Sequence, residues 1–110
     1  MVEHGLENGV LVLTLEDEPG PQLHNLAGLI SDLVHVHAPT PAVIVLGAVV
    51  TDAMITAVVE AHHRSRQVNV LMSVATPSAS VRRTLQAQGR GLVVHARIDT
   101  AINTADATPA

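Results

Sequence analysis

The sequence contains no phenylalanine, tryptophan, tyrosine, cysteine or lysine. Each absence removes a class of function. Without aromatic rings there is no stacking platform of the kind that single-stranded nucleic-acid binders use. Without cysteine there are no disulfides, no thiol nucleophile and no thiolate zinc site. Without lysine there is no Schiff-base chemistry and no P-loop. All six cations are arginines, and the net charge of −4 withholds the basic footprint that duplex binding needs. These absences predict a protein that does not bind nucleic acid.

No membrane or export signal is legible either. The opening Met1-Val2-Glu3-His4-Gly5 is acidic and polar, with no basic n-region or apolar h-region. The longest apolar run, Ala42 to Val50, is nine residues, less than half of a membrane span. The expectation is a cytoplasmic chain with no membrane partner.

What is present is an apolar fraction of 47% in 110 residues, enough for one core without covalent staples. One domain over residues 1–105 is expected, with a short flexible tail at 106–110. A short strand near 2–6 should turn at Asn8-Gly9, a strong hairpin signal, into a β-rich strand at 10–15. Glu16 to Pro21 is a turn cluster. Leu23, Leu26, Leu29, Ile30, Leu33 and Val34 then recur at the 3-and-4 spacing of an amphipathic helix. That helix ends within His35 to Pro41.

Ala42 to Ala48 is a β-branched run of the kind covered on both faces. Asp52 is placed to cap a helix running to about Ser65, with Arg64 and Arg66 suiting its C-terminal end. A buried strand over Asn69–Val74 is followed by a helix over Ser78–Gln88, capped by Ser78 and stopped by Gly89. Val93–Ala96 is a last strand and 99–106 a final helix, fraying after Thr104. The fold class is therefore α/β. An opening β-hairpin leads into alternating helices and strands that form a mostly parallel sheet packed with helices.

Few constellations carry chemistry. The acidic cluster Glu16-Asp17-Glu18 after a strand has the look of a phospho-acceptor receiver, but the next strand ends in Leu46-Gly47-Ala48, without an acceptor aspartate, and no lysine exists. A solvated acidic turn is the better reading. Seven histidines include His35 and His37, and the pair His62-His63, which in principle can assemble a metal or small-ligand site. Neither pair has the i, i+4 spacing of a helical zinc motif, so surface and cap roles are favoured and no metal or other cofactor is expected. No serine sits in a nucleophile elbow, and Gly89-Arg90-Gly91 follows a helix rather than opening one. The chemistry points away from an enzyme.

Residues 58–102 carry a resemblance. Val58-Val59-Glu60-Ala61-His62-His63-Arg64-Ser65-Arg66 and Val70-Leu71-Met72-Ser73-Val74 resemble the second helix and following strand of a STAS domain. Thr76 to Leu85 (Thr-Pro-Ser-Ala-Ser-Val-Arg-Arg-Thr-Leu), then Gly89, Leu92-Val93-Val94-His95 and Asp99-Thr100-Ala101-Ile102, look like the C-terminal half of an anti-sigma factor antagonist. The resemblance covers nearly the whole chain in element order and is sharp after residue 58. It implies a STAS-like fold and a non-enzymatic signalling role. The partner it implies is an anti-sigma factor that is also a serine kinase.

In that family a serine in an Asp-Ser-Ser-Gly motif, at the start of the second helix, is phosphorylated to release the partner. The gapless register from Val58-Val59 sets this motif on Thr51-Asp52-Ala53-Met54. The modified position falls on Ala53, which has no hydroxyl, so the usual switch is absent. Thr51 and Thr56 lie nearby, out of register. A partner surface over Val50, Thr51, Asp52, Ala53, Met54 and Ile55 follows from the resemblance. Two readings follow, a domain locked in a binding-competent form or one in which Asp52 partly imitates the phosphate and weakens kinase binding, beside the plain role of Asp52 as a helix cap. The alternative function is a STAS-type scaffold subunit of a larger signalling assembly, and homo-oligomerisation stays open.

Overall fold

A computed structural model describes residues 2–15, 26–47 and 50–107. The elements follow in the order β1 (Val2–Glu7), β2 (Val10–Leu15), α1 (Leu26–Val36), β3 (Ala42–Leu46), α2 (Asp52–Gln67), β4 (Met72–Ala75), α3 (Ala79–Gln88), β5 (Val93–His95) and α4 (Ile98–Ala107). The strands form one five-stranded sheet in the order β1-β2-β3-β4-β5. β1 runs antiparallel to β2, and each later pair is parallel. This is the α/β fold with a mostly parallel sheet that the patterning predicts.

Asn8 and Gly9 hold φ of 52° and 76°, the doubly positive pair that a two-residue type I′ hairpin demands. Registers then set the faces. Leu11, Leu13 and Leu15 sit beside Ala42, Ile44 and Leu46, and all six face a large core with α1, α2 and α3. The alternate residues Val10, Val43, Val45 and Ala75 face a smaller core under α4, built from Ala101, Ile102 and Ala105. Three crossover helices on one face are what a single crossover hand requires when strands are added in one direction. Every residue of β3 is buried, which explains its uninterrupted apolar run.

Several boundaries differ from the sequence reading, each for a local reason. The fourth strand begins at Met72 rather than Asn69, because Asn69 and Val70 close the end of α2. Asn69 is left-handed (φ 58°), its N–H reaches the Arg66 carbonyl and the Val70 N–H reaches that of Ser65. This is a Schellman ending, and the buried Val70 is its apolar contact. α3 has Ser78 as its N-cap, as the sequence predicts. Gly89 stops it differently from expectation: its φ is −104°, outside the left-handed region. The constraint there is space, since a Cβ would meet two Leu92 side-chain carbons at 3.1 Å. The last helix extends through Ala107, and Ala105 is buried, so the chain is still helical at the start of the expected tail. The acidic turn Glu16–Pro21, Leu23, Ala48 and residues 108–110 lie outside the described residues.

Candidate functional site

The expected partner surface sits where β3 gives way to α2. Thr51 is the N-cap of α2: its backbone is extended (φ −87°, ψ 160°) and its Oγ1 accepts the Met54 N–H at 3.2 Å. The cap is thus one residue earlier than Asp52, which corrects the sequence expectation. Asp52 opens the first turn instead, where the helix N-terminus favours its negative charge.

The six residues divide by burial. Asp52 and Ala53 are exposed, and Val50 and Thr51 are half-buried. Met54 and Ile55 are only 3% and 6% accessible and pack into the large core. Those two cannot offer apolar contact to a partner without unfolding the helix start, so the surface reduces to residues 50–53. Thr56 is exposed one turn on. What the turn presents is a carboxylate beside a methyl group at a helix N-terminus.

A cavity of about 440 Å³ opens at the same end of the sheet. Val45, Leu46, Ala75, Thr76, Pro77 and Ile98 are among its lining, so its wall is mainly apolar. Arg97 and Asp99 also line it and face each other through two hydrogen bonds of 3.0 and 3.1 Å. The Asp99 carboxyl is held below the usual carboxylate range, first by the Thr100 N–H and then by Arg97. Behind the wall, Arg82 Nη1 donates to the Thr76 carbonyl at 2.8 Å, tying α3 to the end of β4. Sequence reasoning missed this cavity. The available signal was topological: clefts in α/β sheets gather at the carboxyl ends of parallel strands.

The histidines do not converge. Among the described residues, no group of three or more His, Asp or Glu side chains is placed to hold a metal ion. The His35 ring donates from Nδ1 to the Ser31 carbonyl at 2.7 Å, one turn back within α1. His37 lies against His4, with ring centres 6.3 Å apart. His62 departs from its expected surface role, being 4% accessible. Its Nε2 donates to the Arg90 carbonyl at 3.1 Å, which fixes the proton on that nitrogen, and its Nδ1 is buried without a partner among the described residues. Burial pushes the His62 pKa below 6.5; the neighbouring His63 and Arg66 push it the same way, against the Arg90 hydrogen bond.

Among the described residues, no helix is long and apolar enough to cross a membrane. Comparison with known families, curated proteins and solved structures finds no match to this chain.

Proposed function

We propose that this chain is a divergent STAS-like domain acting by binding, an anti-anti-sigma factor that engages an anti-sigma factor of the serine-kinase type. Its setting on this reading is the bacterial cytoplasm, and it performs no catalysis of its own. The observation that carries the reading is the β3–α2 turn. Asp52 and Ala53 stand exposed at a helix N-terminus, at the position that the resemblance assigns to the phosphorylation switch. The element order agrees with the resemblance as well.

On this reading the switch is lost rather than moved. A phosphate would add about −1.5 to −2 charges at the contact. Ala53 cannot accept one, and Asp52 supplies a fixed single charge beside it. The partner is therefore held by a complex that the kinase cannot dissolve at this turn.

The test is capture of anti-sigma kinases by the purified chain in the presence of ATP, with intact mass read on bound and free fractions. Capture without a mass gain is expected. Asp52→Arg should weaken capture at least about tenfold while leaving the fold intact, because it reverses the charge at the contact. Capture that is indifferent to Asp52→Arg removes the turn from the interface. No capture of any such kinase defeats the reading.

A further inference from the structure

The sheet is covered unequally. α4 packs on β3, β4 and β5 and reaches Val10 and Val12 of β2, while among the described residues β1 packs mainly on β2 alone. There Glu3, Gly5 and Glu7 sit opposite Thr14, Val12 and Val10, and the three β1 residues are exposed. A groove of about 280 Å³ runs over this half, with Val12 and Thr14 half-buried in its floor. A Cβ on Gly5 would meet nothing within 4 Å, so the groove is open at its centre.

Charge on the chain is segregated. Residues 1–50 hold six of the ten carboxylates and no arginine, and all six arginines lie beyond residue 60. Two of these, Arg83 on α3 and Arg90 just after it, are exposed and make no ion pair among the described residues. Glu3 and Glu7 are likewise exposed and unpaired among the described residues. Four strand residues separate the carboxylates by about 13 Å, and the arginines lie on α3 and just beyond its end at Gln88. α3 presents small or polar side chains around Arg83, including Ala79, Ser80 and Ala87, all exposed.

We propose that α3 of a second copy docks on the groove along β1, Arg83 and Arg90 meeting Glu3 and Glu7. The two surfaces belong to opposite edges and opposite faces of the sheet, so one pair of copies cannot satisfy both at once. The contact is heterologous, and copies join head to tail into chains or a ring. Screening weakens such a contact as salt is raised, because its charges are exposed.

Sedimentation velocity on the full chain across concentration, at low and high salt, tests this. Species larger than a dimer are expected at low salt, receding as salt rises. Glu3→Arg with Glu7→Arg blocks the groove; Arg83→Glu with Arg90→Glu blocks the helix. Each double variant alone should be monomeric, with a thermal unfolding curve showing that it folds. A 1:1 mixture of the two double variants pairs the intact helix of one with the intact groove of the other. The reversed helix of the second variant and the reversed groove of the first are complementary as well, so the mixture should regain assembly beyond a dimer. A wild-type chain that stays monomeric at low salt overturns the proposal and leaves Glu3 and Glu7 as charges guarding an edge strand. So do double variants that assemble like wild type, or a mixture that stays monomeric. None of these outcomes depends on the anti-sigma partner, so this inference and the functional reading fail separately.

Discussion

His62 shows how one buried side chain couples the ends of two helices. It sits on α2 yet donates to the carbonyl of Arg90, beyond the end of α3, and Arg66 Nη1 reaches the same carbonyl at 3.3 Å. Because burial lowers its pKa in the folded protein, the unfolded chain binds more protons between the folded pKa and about 6.5. Stability therefore rises with pH through that window. The contribution is fully present above pH 6.5 and is lost as pH falls toward the folded value. Urea midpoints should drop between pH 7 and pH 5, and His62→Gln should flatten this part of the profile. An unchanged slope in the variant would assign the pH dependence to other groups.

At the scale of elements, helix starts are governed by which side chain reaches the free N–H groups. Thr51 and Asp52 are both good N-caps by type, and spacing alone does not choose between them. The structure chooses Thr51, whose Oγ1 holds the Met54 N–H. Thr51→Ala should accordingly cost about 1 kcal/mol in denaturant unfolding. Asp52→Ala should cost less, about 0.3–1 kcal/mol, through the helix dipole alone and with sensitivity to salt. The reverse order would return the cap to Asp52. At the far end of the same helix, the left-handed Asn69 claims residues that a purely apolar pattern assigns to a strand.

For the whole molecule, the two faces of the sheet are anchored very differently. The large core packs Leu11, Leu13, Ile30, Ile44, Val58 and Leu85 between sheet and helices, whereas α4 is held mainly by Ala101, Ile102 and Ala105. Smaller side chains remove less apolar surface from water, at about 25 cal/mol per Å². Amides of α4 should therefore exchange with solvent well before those of α2 and β3, by local opening rather than global unfolding. Equal protection of α2 and α4 would show that the small core is as cohesive as the large one. The unequal cover also leaves the groove along β1 open among the described residues, which makes it a property of the fold rather than of any residue.

The type and order of the nine elements among the described residues were legible in the sequence, because local chemistry decides them. Asn8-Gly9 meets the φ requirement of its turn, Ser78 caps α3, and the unbroken Ala42–Leu46 run permits only a strand covered on both sides. Only the tertiary structure decided that Met54 and Ile55 turn into the core, that His62 is enclosed, and that a cavity opens between β3, β4 and α4. Burial and clefts arise where elements distant in sequence meet. Helix periodicity records that a face is apolar, but which neighbour covers it is set by the packing of the whole chain.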